Sequence, residues 1–414
     1  MPRRKVILGG ILLGLTAALA VGQSKLQAAA AARLVDAPMF EVDPLWPKPL
    51  PNHWILGMTI GLGIDSKDHV FIVHRGPVDM HRAELGADSN PQARGYQGPV
   101  SDCCRAAPPV LEYAPDGSLV KAWGGPEAGH EWPVSNHGIA VDNKDNVWIG
   151  GNGTCNDSIV SAGSCKVAGS EDSYVLKYTH DGKYLTTIGE PNQRRNSNSL
   201  TSFGRVAKIS FDVKANEAYF SDGYGNKRVA VVDMETGKIK RFWGAYGNVP
   251  SDSSYGNYNP DAPLIPQFRN PVHCAEPTND GLVYVCDRVN NRIQVFQKDG
   301  KFVKEKQYFK NTRGDGAIWD IAFSRDPQQK YMYVADGRNE RVYVMDRQSL
   351  EILTTFGDGG RQPGQFFAVH SIATDSKGNI YTTETYRGQR VQKFLYKGIK
   401  PVTKMSQGAP WPSK

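Results

Sequence analysis

The sequence predicts an all-β fold, a six-bladed β-propeller built from most of the chain. The 414 residues include 43 glycines and 26 prolines, which favours frequent turns and argues against long helices. Short runs rich in Val, Ile, Tyr and Phe are typical of strands. One unit of strand, turn and strand recurs six times, and radial closure of such units protects their sheet edges.

Each repeat begins with an apolar strand that ends at Asp, Ser or Thr, followed by a polar turn and a second strand. The first strands are predicted at 62–65, 138–142, 208–212, 274–278, 320–324 and 371–375. The second strands are predicted at 70–73, 147–149, 218–220, 282–285, 331–334 and 380–382. Outer strands are predicted to follow, for example at 228–233, 292–296, 341–346 and 390–394.

The sixth repeat has only three strands before the chain ends. The segment 39–46, Met-Phe-Glu-Val-Asp-Pro-Leu-Trp, is therefore predicted to supply its outermost strand and close the ring. Two insertions, 81–109 and 246–267, interrupt the regular spacing and are rich in Gly, Asn, Ser and Pro. We expect both to be loops that rim one face of the propeller.

The N-terminal residues resemble a secretory signal. Arg3, Arg4 and Lys5 precede an apolar stretch that ends in Ala18-Leu-Ala20. We therefore expect a signal peptide at 1–20, a linker at 21–37, the propeller at 38–400 and a tail at 401–414. An uncleaved anchor is the alternative. Cleavage would place the protein in the periplasm or outside the cell, away from the membrane.

The charge of the chain is modest. Removal of the three N-terminal positive charges would reduce the formal net charge from +7 to +4. Basic and acidic residues alternate along the sequence, so no nucleic-acid partner is expected.

Six cysteines in an exported chain suggest disulfides. Cys274 and Cys286 flank the turn at 279–281 almost symmetrically and could pair across a hairpin. A loop between Cys155 and Cys165 could be closed by a bridge. The adjacent pair at 103–104 is compatible with a vicinal bridge or with two free thiols.

Histidines recur at one position of the repeat, five residues before the end of the first strand. The six residues at that position are Ile60, His137, Ala207, His273, Trp319 and His370. Alternate blades of a six-bladed ring are related by threefold rotation, so the three imidazoles should converge on the axis. Three imidazoles suit a first-row divalent metal and leave a position open for water or substrate.

The alternative is that each of these histidines is hydrogen-bonded at a strand start or lines a wet channel. The remaining histidines share no repeat position, and no role is assigned to them; they are His53, His69, His74, His81, His130 and His180.

The repeats resemble NHL-type propeller blades, and the motifs resemble the peptidyl-α-hydroxyglycine α-amidating lyases. The resemblance extends from about Phe40 to Phe394 and is closest at 73–76, 137–142, 221–226, 271–273, 287–294 and 369–370. It implies zinc on His137, His273 and His370. It also implies a catalytic Tyr224 and active-site arginines at Arg75 and Arg288.

Two departures from that family concern the third histidine. Ser371 stands where the family has an acidic residue associated with calcium, and Ala368 where it has methionine. The resemblance therefore implies zinc at the axis and leaves calcium open. Tyr224 and Arg288 also follow second strands directly, so both could instead stabilise turns between blades.

The reaction implied by the resemblance is cleavage of the C–N bond of a carbinolamide, such as a peptidyl-α-hydroxyglycine, to an amide and glyoxylate. Tyr224 would accept the hydroxyl proton, with its phenolate favoured by the zinc and the arginines. An arginine fork suits the carboxylate of a small-molecule or peptide substrate. The alternatives are a metal-dependent hydrolase or lactonase on the same scaffold, or a non-catalytic propeller that binds a ligand or a protein.

Overall fold

The computed structural model describes residues 23, 34–81, 84–87, 99–126, 128–156 and 168–408. These residues form six four-stranded antiparallel sheets, one for each predicted repeat, and one short parallel pair. The predicted all-β, six-bladed propeller is confirmed. The predicted signal peptide at 1–20 and most of the linker lie outside the described residues.

The first half of the ring holds three blades and the parallel pair. Blade 1 consists of β3 (Thr59–Ile64), β4 (Val70–His74), β6 (Val110–Tyr113) and β7 (Leu119–Trp123). Blade 2 consists of β8 (Asn136–Val141), β9 (Val147–Gly151), β10 (Tyr174–Tyr178) and β11 (Tyr184–Gly189). Blade 3 consists of β12 (Val206–Asp212), β13 (Glu217–Asp222), β14 (Arg228–Asp233) and β15 (Ile239–Trp243). The pair joins β2 (Trp54–Ile55) to β5 (Arg105–Ala106).

The second half holds the other three. Blade 4 consists of β16 (Val272–Pro277), β17 (Leu282–Asp287), β18 (Arg292–Gln297) and β19 (Phe302–Gln307). Blade 5 consists of β20 (Asp320–Phe323), β21 (Tyr331–Asp336), β22 (Arg341–Asp346) and β23 (Glu351–Phe356). Blade 6 consists of β24 (Val369–Thr374), β25 (Ile380–Glu384), β26 (Arg390–Thr403) and β1 (Leu34–Val42). Short 3₁₀ turns occur at Pro77–Asp79, Val213–Ala215 and Ala245–Gly247.

The ring is closed by the N-terminal strand, as predicted, although its bounds differ. β1 pairs antiparallel with β26 from Leu34 opposite Thr403 to Val42 opposite Phe394. The segment after residue 42 leaves the sheet, and Trp46 packs instead against Tyr381, with ring centroids 5.0 Å apart. The closing strand therefore begins before the predicted segment 39–46 and ends within it.

The strands predicted as outer strands are the third of four in their blades. β14, β18, β22 and β26 each pair on both edges, and a further strand covers them on the outside. Most residues of the fourth strands β11, β15 and β19 are exposed or half-buried, so their sequences lack the apolar runs that identify buried strands.

The hydrophobic core lies between neighbouring blades. Trp148 of blade 2, for example, packs edge-on against Phe211 and Phe220 of blade 3, with centroids 5.4 and 6.3 Å apart. Burial of both faces of each sheet explains why the inner strands are almost continuously apolar. The first strands are thereby fixed around the axis, where three of them carry the repeated histidines.

Two of the three cysteine expectations can be examined among the described residues. Cys274 and Cys286 stand opposite each other on β16 and β17 and form a disulfide, as predicted. Cys103 and Cys104 form a vicinal disulfide, so of the two possibilities for this pair the structure has the bridge and not two free thiols. Cys155 is disulfide-bonded, and Cys165 lies outside the described residues. Within the described part of the chain, none of the helices has the length and apolar character needed to cross a membrane.

Candidate metal centre

Three histidines from alternate blades meet at the axis. His137, His273 and His370 each occupy the second position of the innermost strand of their blade, β8, β16 and β24. Their ring centroids are 4.8 to 5.2 Å apart, and one ligand atom of each lies within 4.8 Å of the others. All three side chains are buried. The structure thus brings together the histidines that the repeat places at one position, in an arrangement that can hold a metal ion.

Each imidazole is oriented by the neighbouring blade. Its Nδ1 donates to the main-chain carbonyl of the equivalent repeat position in the next blade, and the hydrogen bond fixes the tautomer. The pairs are His137 with Ala207 at 2.6 Å, His273 with Trp319 at 2.5 Å, and His370 with Ile60 at 2.7 Å. Because Nδ1 carries the proton, the lone pair of each ring is on Nε2. Histidines that bind metals commonly have this second hydrogen bond.

Burial also keeps the rings neutral. Loss of hydration lowers the pKa of His370 to about 3 and lowers the pKa of His137 and His273 well below 6.5. The nearby cation of Arg288 acts in the same direction on all three. Three neutral imidazoles with outward Nδ1–H groups fit a borderline metal such as zinc better than a hard cation.

Tyr224 lies against this group of histidines. Its hydroxyl oxygen is 2.8 Å from Nε2 of His137 and 3.2 Å from Nε2 of His273. The loop after β13 reaches this position by passing close to β16, where a Cβ at Gly223 would be 2.1 Å from the carbonyl oxygen of Val272. Glycine before Tyr224 is therefore required by the close approach of the two backbones.

Arg288 completes the group on the side of Tyr224. Its Nη1 donates to the Tyr224 hydroxyl at 3.3 Å, and its guanidinium lies over the Trp319 ring at 4.7 Å. Asp315 approaches Nη2 at 3.8 Å. The Nε of Arg288 is buried without a hydrogen-bond partner among the described residues. A buried donor without a partner is costly unless a ligand accepts from it.

Arg75 lies near the axis but in a different setting. Its Nη2 donates to Asn152 at 2.7 Å and its Nε to the carbonyl of Asn136 at 3.3 Å, while Asp79 is 3.8 Å away. It lines a separate cavity of about 300 Å³ between blades 1 and 2. The structure therefore brings Tyr224 and Arg288 together with the histidines and holds Arg75 in the adjoining loops.

A cavity of about 920 Å³ opens beside Tyr224 and Arg288. Its wall includes residues 252, 254–258 and 265 of the predicted insertion loop. Basic side chains outnumber acidic ones in the lining. The basic residues are Arg194, Arg205, Lys227, Arg269, Arg288 and Arg313, and the acidic ones are Asp252 and Asp315. Such a lining attracts anions.

Apart from Arg288, the basic residues of the cavity were not identified from the sequence. They lie in connecting loops of several blades, at positions that do not repeat, so no periodic signal marks them. Arg205 could have been suspected because it stands two residues before the shared repeat position in blade 3. Its side chain crosses to the Tyr224 carbonyl, to which Nη2 donates at 3.0 Å.

Calcium gains no support from the residues around the axis. Ser371 follows the third histidine, and two nearby carboxylates, Glu276 and the buried Asp320, are both bonded by the Lys208 ammonium at 2.7 and 2.5 Å. The Lys208 ammonium therefore balances the charge of these two carboxylates, which do not need a calcium ion for that purpose.

Comparison with known proteins finds similar proteins with and without an enzyme activity in their names. It is 24% identical over 378 residues to peptidyl-alpha-hydroxyglycine alpha-amidating lyase 1 of Drosophila melanogaster, covering 86% of this chain and 60% of that protein. It is 23% identical over 357 residues to peptidylglycine alpha-amidating monooxygenase of Rattus norvegicus, covering 84% of this chain. The chain spans 32% of the length of the rat protein.

A third relative carries no activity in its name. NHL repeat-containing protein 3 of Mus musculus is 23% identical over 379 residues, covering 87% of this chain and 85% of that protein. No protein-family model matches the chain. A streptogramin B lyase structure aligns with 87% of this chain and 98% of its own at 11% identity and a TM-score of 0.44, which is too low to bear on function.

Proposed function

We propose that this protein is an exported zinc-dependent lyase that cleaves the C–N bond of a carbinolamide, such as a peptidyl-α-hydroxyglycine, to an amide and glyoxylate. The observation that carries the proposal is the position of Tyr224. Its hydroxyl lies within hydrogen-bond distance of two axial histidines and of Arg288, at the edge of a cationic cavity. The similarity to the fly lyase supports the same assignment.

The substrate of such a reaction has a hydroxyl, an amide nitrogen and a carboxylate on one carbon. Zinc held by the three histidines would acidify the hydroxyl, as it lowers the pKa of water from about 16 to about 7. Tyr224, as phenolate, accepts the hydroxyl proton. The electron pair of the O–H bond then forms the carbonyl of glyoxylate while the C–N pair leaves with the amide nitrogen, which takes up a proton. Atoms and charge balance without a further reactant.

Arg288 has two roles in this scheme. Its Nη1 donates to the Tyr224 oxygen at 3.3 Å and so holds that oxygen beside the histidines. Its buried Nε has no partner among the described residues and can donate to the substrate carboxylate. The surplus of arginines around the cavity would attract such an anion from solution. We propose that Arg75 acts from the opposite side, where it would have to exchange its bond to Asn152 for the substrate.

Export is the third part of the proposal. The disulfide between Cys274 and Cys286 is of a kind that persists in oxidising compartments, and the basic and apolar N-terminal residues resemble a signal. Mass spectrometry of the mature protein should find an N-terminus just after Ala20. A mature chain that retains Met1 would contradict export by a cleaved signal.

The proposed reaction is tested by measuring zinc content and glyoxylate release on an α-hydroxyhippurate-type substrate. We expect glyoxylate formation that is lost on chelation and restored by zinc. His273→Ala should abolish both activity and metal at the axis. Release of a hydrolysis product without glyoxylate would indicate a metal-dependent hydrolase. A metal-free protein that binds ligands without turnover would indicate a binding propeller.

A further inference from the structure

A second group of side chains with metal-ligand chemistry lies where blade 1 meets blade 2. Asp65 follows β3, His69 precedes β4, Glu112 is on β6, and His180 is in the turn between β10 and β11 of blade 2. One ligand atom of each lies within 4.8 Å of all the others. No motif in the sequence marks the group, since its members come from separate turns and strands.

This group is distinct from the axial histidines. The carbonyl of Ile60 accepts a hydrogen bond from His370, so this end of β3 lies beside the axial histidines. Asp65 lies five residues further along the chain, beyond the other end of β3. At about 3.3 Å per residue, the two ends are about 16 Å apart. No residue belongs to both groups.

Four of the six distances between the ligand atoms can be compared with those of a tetrahedral site. Nδ1 of His69 is 2.6 Å from Oε1 of Glu112 and 3.9 Å from Oδ2 of Asp65. Nε2 of His180 is 3.0 Å from Oδ2 of Asp65 and 3.6 Å from Oε1 of Glu112. Ligands bonded to tetrahedral zinc at about 2.0 Å lie about 3.3 Å from one another, which falls within this range.

The same turn in other blades is stabilised without a metal. In blade 2, Oδ1 of Asp142 accepts from main-chain N–H groups, and Oδ2 accepts from Nδ2 of Asn146 at 3.1 Å and from Nε1 of Trp148 at 2.9 Å. In blade 6, the equivalent Oδ2 of Asp375 accepts from Asn379 and Tyr381. The turn aspartate of these blades thus has neutral main-chain or side-chain donors on both carboxylate oxygens.

Blade 1 lacks the side-chain donors that bond Oδ2 of the turn aspartate in blades 2 and 6. Asp65 keeps the main-chain bonds to Oδ1, from Lys67 and His69 at 2.8 Å each. The positions that hold Asn and Trp or Tyr in blades 2 and 6 hold His69 and Phe71 here. Among the residues that the structure describes, Oδ2 of Asp65 therefore has no amide, indole or phenol donor, and it faces His180 instead.

On the third strand, blade 1 carries a negative charge at the position where blades 2 and 6 carry a positive one. Trp148 of blade 2 stands opposite Lys177, and Tyr381 of blade 6 stands opposite Lys393. In blade 2 this lysine is 3.7 Å from the turn aspartate. In blade 1, Phe71 stands opposite Glu112, so a second carboxylate takes the place of the cation.

The two carboxylates of blade 1 are buried without a permanent cation. The side chains of Asp65 and Glu112 are 0% and 2% exposed, and among the described residues no lysine or arginine nitrogen lies within 4.0 Å of either. Their close ionisable partners are His69 and His180, which are 22% and 29% exposed. Two buried negative charges need compensation, and a divalent ion with two neutral imidazoles supplies it completely.

We propose that Asp65, His69, Glu112 and His180 form a second metal site that binds a divalent first-row cation, zinc by preference, and links blade 1 to blade 2. Two imidazoles and two carboxylates fill a tetrahedral shell, so the site is structural and leaves no position for a substrate. The partly exposed imidazoles give the ion access from solvent. The proposal does not depend on the lyase assignment.

The test is metal binding in a protein whose axial site has been removed. His273→Ala protein is stripped with a chelator and titrated with Zn²⁺, followed by calorimetry and elemental analysis. We expect one equivalent to bind. Adding Glu112→Lys restores the lysine that blades 2 and 6 carry, so the chain should fold while zinc affinity falls at least about 100-fold. His180→Asn should have the same effect, and His53→Asn, which removes an exposed histidine outside the group, should have none.

The same variants in the wild-type background cover the case in which His273→Ala does not fold. We then expect two equivalents of zinc in the wild type and one in Glu112→Lys and His180→Asn. Melting temperature should rise on addition of zinc to wild type by more than it does in Glu112→Lys. Equal zinc stoichiometry in wild type, Glu112→Lys and His180→Asn would overturn the proposal, as would the absence of zinc binding in folded His273→Ala protein.

Discussion

At the scale of single residues, repetition decides what the sequence reveals. His137, His273 and His370 could be found because they share one repeat position. Threefold rotation about the axis then brings equivalent positions of alternate blades together. The Nδ1–H groups of these histidines donate to main-chain carbonyls, and a pattern of side chains does not reveal such bonds. His69 and His180 were given no role from the sequence because their partners come from unrelated positions.

Tyr224 is the residue on which the proposed chemistry depends most. If it is the general base, Tyr224→Phe should lower the rate of C–N cleavage by about a hundredfold or more, because the proton acceptor is removed. Metal content and unfolding free energy should stay near those of the wild type. A tyrosine that only stabilises the turn would lose at most a hydrogen bond of about 1 kcal/mol.

The measurement is steady-state turnover across pH for both proteins, with zinc measured on the same samples. Tyr219→Phe is a matched control, since the Tyr219 hydroxyl is buried in blade 3 and donates to Glu217 rather than to the histidines. Turnover near that of the wild type in Tyr224→Phe, with zinc retained, would remove Tyr224 from the mechanism.

His74 should make stability depend on pH. It is fully buried, its Nε2 donates to the Pro108 carbonyl at 3.0 Å, and burial lowers its pKa below 6.5. The unfolded chain therefore binds a proton more readily than the folded one, and the contribution to stability is present above pH 6.5 and lost as pH falls below it. The loss is up to about 1.4 kcal/mol for each pH unit until the folded pKa is reached.

Denaturant unfolding of wild type and His74→Gln at pH 5 to 8 tests this effect. Glutamine keeps a hydrogen-bond donor but does not titrate, so the unfolding free energy of the variant should fall less steeply below pH 6.5. Identical slopes in the two proteins would show that His74 does not contribute. Comparison of slopes removes the contributions of the other histidines, which both proteins share.

At the scale of elements, the sequence identified buried strands and missed exposed ones. The first three strands of each blade have an apolar pattern, whereas the fourth strands β11, β15 and β19 are largely in contact with solvent and resemble loops in composition. Blades 3, 4 and 6 also share an ion pair between the end of the second strand and the start of the third. The pairs are Asp222 with Arg228, Asp287 with Arg292, and Glu384 with Arg390. In two of them both side chains are 0% exposed, so the charge of one residue is balanced by the other.

Removal of one partner of such a pair should be costly. Asp222→Ala would leave the Arg228 guanidinium buried with only carbonyl acceptors, from residues 197, 199 and 202. We expect the unfolding free energy to fall by about 3–5 kcal/mol. Glu351→Ala, which breaks the partly exposed pair with Lys306, should cost at most about 1 kcal/mol. Chemical denaturation of both variants measures the contrast, and equal costs would refute it.

At the scale of the whole molecule, the chain ends hold the ring together. The number of repeats and the three-stranded sixth copy sufficed to predict closure by the N-terminal segment. The bounds of the closing strand could not be predicted, because apolar residues continue to Trp46. Only the structure shows that the indole of Trp46 leaves the sheet and packs between blades 6 and 1. Closure makes the stability of blade 6 depend on residues more than 350 positions apart.

Phe40 should be the main side chain that holds the closing strand. It is 1% exposed and contacts Tyr333, Phe356 and Tyr396, with centroids 5.3 to 5.9 Å apart. Phe40→Ala removes these contacts and leaves a cavity between blades 5 and 6, so we expect a loss of about 3–5 kcal/mol in unfolding free energy. Leu45→Ala is the control, because Leu45 is 82% exposed beyond the strand and its substitution should cost less than about 0.5 kcal/mol.

If β1 closes the ring cooperatively, Phe40→Ala should still unfold in one transition, with tryptophan fluorescence and circular dichroism coincident. A separate early transition in wild type would mean that the strand detaches alone and that closure is not coupled to the stability of the other blades.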